Sequence, residues 1–473
     1  MSTTVSTFKV GEVELPAAYV ERMRRLPGIE ADAFFHAVCE EAPVKGLRVN
    51  ALKAVSGGAG EDAGLTELLR ETFPDMTPVA WEKNGFYISE EDRAGAHPLH
   101  AAGAYYLQEP SAMLPVTLLD IRPGEHVLDL CAAPGGKSTQ IASYLKGEGV
   151  LIANEIHPVR AKALSENIER MRIANAVVTN ETPERIAAFF PCYFDAVLVD
   201  APCSGEGMFR KNPEAVREWS EENVAMCAAR AAGILEAADV CLKPGGRLVF
   251  STCTFSEEEN ERQAEGFLAA HPGYRLERME RIYPHLERGE GHFAALLVKE
   301  GTPVKGAQAA RGVVKAQKGT PEAAFTAFLE ETLTVEGRER LSAFTVVRNK
   351  DQIYAYPKNF PATDTLKVLR QGLHLGTMKK DRFEPAHALA LFLSSRDVHH
   401  VVDLSADGEE VRCYLHGETL PAPDGLTDVK GYALITCEGV SMAFTRVAGG
   451  VLKNMYPKGL RRVGRRDRYN DPL

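Results

Sequence analysis

Short apolar runs alternate with helical patterns through the middle of the chain. Pro158 and Ser220 stand where two of the intervening helices are expected to begin. This alternation is typical of an open, parallel, doubly wound sheet. The pattern predicts parallel strands over residues 126–130, 150–155, 176–179, 194–199 and 246–252, and two closing edge strands, the last antiparallel, over 274–279 and 292–298.

The region before this sheet and the segment after it have different patterns. Residues 1–95 mix helical patterns, such as residues 17–25, with a basic strand-like run over 46–53, which indicates a small α+β module. Residues 301–320 contain four cations, no acid and few apolar side chains. We therefore expect a flexible linker there.

The chain of 473 residues exceeds the size at which one hydrophobic core keeps growing, so several domains are expected. The sheet pattern occupies residues 96–300. After the linker, a helical segment near 323–333 and a mixed region predict a domain over 321–393. The strand-rich end predicts a last domain over 394–473, with strands at 411–415, 432–437 and 442–447.

Charge is distributed unevenly along the chain. The formal net charge of −10 disfavours general binding to phosphates. The segment 453–468 is strongly basic, with Asp467 as its one acid, and either contacts nucleic acid or is a solvated tail. Its cations are Lys453, Lys458, Arg461, Arg462, Arg465, Arg466 and Arg468.

The cysteines and the apolar runs limit the class of protein. Nine cysteines include no Cys-x-x-Cys pair, which argues against a disulfide framework and against a zinc site, so no metal is predicted. No stretch reaches the roughly 20 apolar residues that cross a bilayer, and residues 1–10 lack a leader pattern. We expect a cytoplasmic protein without membrane contact.

The segment 131–137 lies where the first parallel strand passes into a helix, the position at which doubly wound folds bind ligands. Its small residues let a ligand approach the backbone, and the helix start offers free N–H groups. A phosphate-binding P-loop is the rival interpretation, but Cys131 replaces its first glycine and Pro134 removes a donor. The dinucleotide pattern Gly-x-Gly-x-x-Gly is missing too. The loop therefore favours another nucleoside cofactor, and Glu155, ending the second strand, would accept hydrogen bonds from its ribose.

Two cysteines follow neighbouring strands of the predicted sheet. Asp200 and Cys203 come after the fourth strand, and Cys253 comes after the fifth. A thiolate that adds to carbon 6 of a cytosine makes carbon 5 nucleophilic enough to attack an electrophilic methyl group. Lys137, a helix terminus or a positive charge on the cofactor would help to ionise a thiol, Asp200 could bind the base, and Cys203 could assist product release. The alternative is that both thiols are simply buried structural residues, and chemistry alone leaves open which one attacks.

Three motifs resemble the Nol/Nop/Sun family of RNA cytosine-5 methyltransferases, and specifically its bacterial RsmF-like branch, which acts on small-subunit ribosomal RNA. They are the segments 131–137, 200–207 and 251–254, supported by 45–50, 106–113 and 289–293. The resemblance is strongest over residues 1–300. The last third resembles the additional domain and the PUA-like RNA-binding module of that branch.

This resemblance implies a Rossmann-like class I methyltransferase domain between an N-terminal RNA-binding module and C-terminal α+β and PUA-like domains. It implies methylation of carbon 5 of cytosine in 16S ribosomal RNA, with S-adenosylmethionine as cofactor. We predict no obligate protein partner. A catalytically inactive RNA-binding factor with the same fold is the competing hypothesis. The implied catalytic residues are Cys253 as nucleophile, Cys203 in product release, Asp200 and Lys137.

The resemblance also assigns the cofactor contacts. The family often carries an acid after the third strand, where this chain has Asn180, an amide that could contact adenine instead. The implied cofactor-binding residues are Cys131, Ala132, Ala133, Pro134, Gly135, Gly136, Lys137, Glu155, Arg160 and Asp200.

Overall fold

The N-terminal part of the molecule combines short helices with a four-stranded antiparallel sheet. The computed structural model describes residues 8–53, 55, 63–89, 91–302, 312–315, 322–380 and 382–461. After the hairpin β1 (Lys9–Val10) and β2 (Val13–Glu14) come α1 (Ala17–Arg25), α2 (Ala31–Glu40), β3 (Gly46–Val49), α3 (Ala63–Thr72), β4 (Thr77–Val79), β5 (Glu82–Tyr87), α4 (Pro98–Ala101), β6 (Tyr105–Leu107) and α5 (Leu114–Leu118).

The strand order in this first sheet is β4-β5-β3-β6. The sheet therefore continues past residue 95, where the sequence predicts the end of the first module. The basic run predicted as a strand over 46–53 forms a strand only as far as Val49, and its cations Arg48 and Lys53 are buried. Arg48 donates to Thr139 Oγ1 at 2.6 Å, and Lys53 donates to the carbonyl oxygen of Ser441 at 2.7 Å. Arg48 thus joins the N-terminal module to the central domain, and Lys53 joins it to the final domain.

The central sheet has the parallel, doubly wound core that the sequence predicts. Its parallel strands are β7 (His126–Asp129), β8 (Val150–Asn154), β9 (Ala176–Thr179), β10 (Phe194–Asp200) and β11 (Leu242–Thr252), followed by the antiparallel strands β12 (Tyr274–Ile282) and β13 (His292–Lys299). The helices are α6 (Gly136–Leu145), α7 (Pro158–Arg170), α8 (Pro183–Phe189), α9 (Pro213–Glu218), α10 (Glu221–Cys241) and α11 (Glu261–Ala270).

Both faces of this sheet are covered, which explains the continuous apolar character of its strands. Leu128 and Val197 pack in the core on one face, while their neighbours Val127 and Leu198 pack on the other, and all four are fully buried. Pro158 is the first residue of α7, and Ser220 caps α10 by accepting a hydrogen bond from the backbone N–H of Asn223. The helix starts therefore lie where the sequence places them.

The next domain supplies an edge strand to the central sheet. It contains α12 (Ala323–Thr332), α13 (Val335–Ser342), β14 (Thr345–Asn349), β15 (Gln352–Tyr356), β16 (Val368–Gln371), β17 (Leu373–Lys379), β18 (Arg382–Pro385) and α14 (His387–Phe392). Four of these strands form their own antiparallel sheet, in the order β14-β15-β17-β18. Strand β16 instead pairs antiparallel with β9, so the central sheet has the order β12-β13-β11-β10-β7-β8-β9-β16.

The final domain contains a five-stranded sheet with the order β19-β21-β22-β23-β20. Its elements are β19 (Val401–Leu404), α15 (Glu409–His416), β20 (Leu420–Pro421), β21 (Gly431–Cys437), β22 (Val440–Ala448) and β23 (Val451–Asn454). The prediction of a strand over 411–415 is wrong. Val411, Tyr414 and Leu415 are buried together because spacings of three and four residues share one helix face, and Gly417, with φ 96°, ends that helix.

Parts of two predicted segments lie outside the described residues. These parts are most of the linker 301–320 and the arginines of the basic end beyond Arg461, namely Arg462, Arg465, Arg466 and Arg468. Within the described ranges, no helix combines the length and the apolar character needed to cross a membrane.

Candidate active site

Three neighbouring strands bring the predicted catalytic residues to one edge of the central sheet. Strands β7, β10 and β11 are adjacent and parallel, and the ends of β10 and β11 are aligned by the pairing of Asp200 with Ser251. Lys137 lies at the start of α6, which follows β7, and Cys203 and Cys253 lie in the loops after β10 and β11. The structure thus brings all four proposed catalytic residues to the carboxyl edge of the sheet, where doubly wound folds bind ligands.

The two thiols contact each other directly. The sulfur atoms of Cys203 and Cys253 are 3.3 Å apart, and both side chains are partly exposed. A hydrogen bond with the Cys253 thiol, and then burial, raise the pKa of the Cys203 thiol well above its ordinary value. Either thiol can therefore donate its S–H proton to the thiolate of the other. The contact pairs the two cysteines and leaves open which of them attacks.

A buried glutamate fixes the loop that carries Cys203. Glu259 accepts hydrogen bonds from the backbone N–H of Ser204 at 2.8 Å and from its hydroxyl at 2.6 Å, and that hydroxyl also contacts Thr254 Oγ1 at 2.9 Å. Burial raises the pKa of Glu259 to about 7. No sequence pattern marks Glu259, because its partner Ser204 lies 55 positions earlier in the chain.

A second buried glutamate links the same two loops. Glu206 accepts from Trp219 Nε1 and from the backbone N–H of Phe255, each at 2.8 Å. Next to it, the N–H of Gly207 donates to the carbonyl oxygen of Cys253 at 2.8 Å. A Cβ at Gly207 would lie 2.9 Å from that oxygen, so a larger residue would push the two cysteine loops apart. Both residues lie in the segment 200–207 quoted for the family resemblance, but neither was singled out.

Asp200 is held as a carboxylate by the groups around it. Lys137 Nζ lies 2.8 Å from Oδ2, and the Ser251 hydroxyl donates to Oδ1 at 2.7 Å. Burial alone would raise the pKa of Asp200, but the charge of Lys137 and then the imidazole of His292 hold it well below the ordinary range. An ionised carboxylate can accept a hydrogen bond from an amino group of a base.

His292 is a further polar group beside this carboxylate. Its Nε2 lies 3.7 Å from Asp200 Oδ1, which is too long for a direct hydrogen bond, and this atom has no hydrogen-bond partner among the described residues. Burial, and then the charge of Lys137, lower the pKa of His292, so the ring is neutral. The sequence contains a signal for it, since His292 lies in the segment 289–293 that supports the family resemblance, but the resemblance implies no role for this residue.

The loop 131–137 is pinned from both sides. The backbone N–H of Ala132 donates to the carbonyl oxygen of Asn154, and Arg160 Nη2 donates to that of Ala133 at 2.7 Å. Gly135 has a φ of 117°, a conformation that other residues rarely adopt, and α6 begins directly after it. Burial raises the pKa of the Cys131 thiol well above its ordinary value, which disfavours a thiolate at this third cysteine.

The residues at the end of β8 fit a nucleoside. Glu155 is 3% exposed, with Oε1 accepting from the backbone N–H of His157 at 2.8 Å and Oε2 lying 3.5 Å from Arg160 Nη1. A carboxylate in this position can accept from the two hydroxyls of a ribose. The next side chain, Ile156, is 58% exposed and offers an apolar face for a base. Together with the glycine loop, these residues fit S-adenosylmethionine.

Asn180 does not have the free amide that the sequence suggested. Its Nδ2 donates to the carbonyl oxygens of Glu155 and Ile156, both at 2.8 Å, and its Oδ1 accepts from Lys367 Nζ at 2.5 Å. Lys367 directly precedes β16, the edge strand from the C-terminal part. Asn180 therefore supports the backbone of the cofactor site. Lys367 could not have been found from sequence, because 187 positions separate the two residues.

A doubly wound sheet with a glycine loop after its first strand and a buried carboxylate after its second fits the class of S-adenosylmethionine-dependent methyltransferases. Family models match consecutive parts of this chain: the N-terminal domain of 16S rRNA methyltransferase RsmF at residues 15–110, 16S rRNA methyltransferase RsmB/F at 116–298, the RsmF first C-terminal domain at 327–393 and the RsmF PUA domain at 401–462. The chain belongs to the RsmF family of ribosomal RNA methyltransferases.

Individual relatives agree over the full length. Ribosomal RNA small subunit methyltransferase F of Vibrio parahaemolyticus is 32% identical, with 95% of this chain and 98% of that protein covered. The protein of the same name from Cronobacter sakazakii is 32% identical, with 96% and 98% covered. The chain is thus an enzyme of this family, and the predicted family and cofactor are confirmed.

Solved structures agree with the fold over about 60% of this chain. A methyltransferase homolog protein from Pyrococcus horikoshii is 27% identical, with a TM-score of 0.52, 60% of this chain and 94% of that chain covered. The structure of NSun6 from the same organism with SFG has a TM-score of 0.52 at 21% identity, with 61% and 99% covered, and shows likeness of fold alone.

Proposed function

We propose that this enzyme methylates carbon 5 of a cytosine in 16S ribosomal RNA through a covalent bond between Cys253 and carbon 6 of the base. The observation that carries the proposal is the contact of Cys203 and Cys253 at 3.3 Å, beside the cofactor loop. Bound S-adenosylmethionine would supply an electrophilic methyl group. The chain's own residues would make the cytosine nucleophilic and release it afterwards.

We assign the role of nucleophile to Cys253, as the family resemblance does. The sulfur of Cys203 is 3.3 Å away, so its S–H group can stabilise a thiolate at Cys253. Addition of that thiolate to carbon 6 moves an electron pair into the ring and makes carbon 5 nucleophilic. The family resemblance assigns the same roles to the two residues.

Asp200 and Lys137 are placed to bind and polarise the base. The ionised Asp200 would accept a hydrogen bond from the exocyclic amino group of cytosine. Lys137 donates one hydrogen bond to Asp200 Oδ2 and retains two further N–H donors. Its positive charge would stabilise the ring as the thiolate addition makes it more negative.

Release of the product reverses the addition. A base removes the proton on carbon 5, the double bond between carbons 5 and 6 forms again, and the bond from carbon 6 to the Cys253 sulfur breaks. Cys203 is 3.3 Å from that sulfur and would assist its departure by donating its proton to the leaving thiolate. The N-terminal module and the PUA domain would bind the ribosomal RNA. A ribosomal RNA substrate implies that the enzyme acts in the cytoplasm.

A mechanism-based RNA probe tests the proposal. In RNA containing 5-fluorocytosine, no proton can be lost from carbon 5 after methyl transfer, so the protein–RNA bond persists through denaturation. We expect a cofactor-dependent adduct with the wild-type enzyme and with Cys192→Ala, which changes an exposed cysteine. Cys253→Ala should give none. An adduct with Cys253→Ala, or none with the wild type, would refute the assignment.

A further inference from the structure

A second cleft lies at the edge of the central sheet opposite the catalytic loops. Its floor consists of Gly124 before β7, residues 146–149 before β8, and Asn175 before β9. These positions precede the strands, whereas the catalytic residues follow them. Helix α6 runs from the cofactor loop to this cleft over 10 residues, which is about 15 Å. The cleft has a volume of about 890 Å³ and is separate from the active site.

The walls of this cleft come from the N-terminal module, the methyltransferase domain and the first C-terminal domain. Lys83 belongs to the N-terminal sheet, Tyr144 to α6, and Phe344 and Lys358 to the first C-terminal domain. A groove built from three domains exists only in the assembled chain. Residues from distant parts of the sequence therefore contribute one shared surface.

The charge of the cleft is opposite to that of the whole chain. Five of its side chains are cationic and Glu148 is the one acid that lines it, whereas the protein carries a net charge of −10. Arg340 is paired with Asp397 at 3.1 Å. Three lysines have exposed side chains and form no ion pair with any residue that the structure describes: Lys83, Lys146 and Lys358. Three such cations in one groove favour an anionic ligand.

A buried polar atom also lacks a partner in this cleft. Asn175 is 1% exposed, and its Nδ2 donates to the carbonyl oxygen of Glu148 at 3.0 Å. Its Oδ1 has no hydrogen-bond partner among the described residues. An amide oxygen at the floor of the groove can accept from a ligand O–H or N–H group. The cleft therefore offers an acceptor in addition to its cations.

We propose that this cleft binds a single-stranded segment of the ribosomal RNA substrate, at a distance from the target base. The lysines would neutralise phosphates, the partly exposed rings of Tyr144 and Phe344 would stack on bases, and Asn175 Oδ1 would accept from a ribose 2′-hydroxyl or a base amino group. Phosphate charge, an aromatic face and a hydroxyl donor occur together in RNA. The inference rests on the proposed function, since it assigns a second contact to the same substrate.

Two variants with the same net charge test this cleft. Each replaces three exposed lysines by glutamine, so each takes the formal net charge from −10 to −13. The cleft variant carries Lys83→Gln, Lys146→Gln and Lys358→Gln, and the control carries Lys9→Gln, Lys350→Gln and Lys380→Gln. Binding to unmodified 16S ribosomal RNA is titrated at several salt concentrations without cofactor.

We expect the cleft variant to bind on the order of tenfold more weakly and to lose about 2 from the slope of log affinity against log salt, since each single-strand phosphate contact adds about 0.7. The control should keep the wild-type slope. Equal slopes for both variants would overturn the proposal. This binding measurement needs no methyl transfer. An inactive wild-type enzyme would contradict the proposed function, and the comparison of the two salt slopes would still test the cleft.

Ultraviolet cross-linking of the wild-type enzyme to the same RNA gives an independent readout. Cross-linked peptides that contain Tyr144 or Phe344 support an RNA strand in the cleft. Cross-links confined to the catalytic edge and the PUA domain would contradict it.

Discussion

The sulfur atoms of Cys203 and Cys253 lie 3.3 Å apart, on loops that follow neighbouring parallel strands. This distance is too long for a disulfide and short enough for a thiol–thiolate hydrogen bond. The pair is therefore suited to the proposed roles of nucleophile and proton donor. The buried carboxylates of Glu206 and Glu259 hold the two cysteine loops in place, so the fold itself maintains the contact between the sulfur atoms.

Replacing the nucleophile should stop the reaction without affecting cofactor binding. We expect Cys253→Ala to lower methyl transfer by at least about a thousandfold, because the residues that act with the nucleophile cannot replace it. The affinity for S-adenosylmethionine, measured by calorimetry, should stay within about twofold of wild type. Turnover comparable with that of Cys192→Ala would contradict the role of Cys253.

Replacing Cys203 should give a different phenotype. Without the proton donor, the adduct on Cys253 should break down slowly, so Cys203→Ala should accumulate a protein–RNA complex with unmodified RNA that survives denaturation. The double variant Cys203→Ala/Cys253→Ala is the control and should form none. Rapid turnover by Cys203→Ala, with no complex under active conditions, would remove its release role.

The contact of Lys367 with Asn180 predicts that the C-terminal part supports cofactor binding. Lys367→Met should release Asn180 from its position under residues 155 and 156, and one lost hydrogen bond of about 1 kcal/mol corresponds to roughly fivefold weaker binding of S-adenosylmethionine. Lys379→Met, which breaks an exposed pair with Glu384, is the matched control. Equal affinities for S-adenosylmethionine in the two variants would show that the contact of Lys367 with Asn180 does not support cofactor binding.

Asp129 predicts a pH dependence of stability. It is fully buried, and burial raises its pKa to about 7, while the Ser138 hydroxyl donates to its Oδ2 at 2.6 Å. The folded state thus binds a proton that the unfolded state loses near pH 4. Between about pH 4 and pH 7 this carboxyl makes the free energy of unfolding fall as the pH rises, by a few kcal/mol at most, and above pH 7 the loss is constant.

Asp129→Asn keeps the acceptor for Ser138 and removes the charge. Urea denaturation at pH 5 and pH 8 should therefore show the variant gaining stability relative to wild type at the higher pH. A difference between the two proteins that does not change with pH would show that Asp129 is ionised throughout.

Local signals predicted the central sheet and much of the site. The strands, the loop 131–137 and the two cysteines could be placed because parallel strands bring their carboxyl ends to one edge. Long-range partners could not be predicted in this way. Glu259, Lys367 and the cleft around Lys358 depend on contacts between distant segments, and the helix that contains Val411 was mistaken for a strand because five residues carry too little periodicity.

The most direct test of the central claim identifies the methylated nucleoside. The purified enzyme is incubated with methyl-labelled S-adenosylmethionine and unmodified 16S ribosomal RNA, free and assembled into subunits, and the RNA is digested to nucleosides. We expect the label in 5-methylcytidine with wild type and none with Cys253→Ala. Label in any other nucleoside would contradict attack of Cys253 on a cytosine ring.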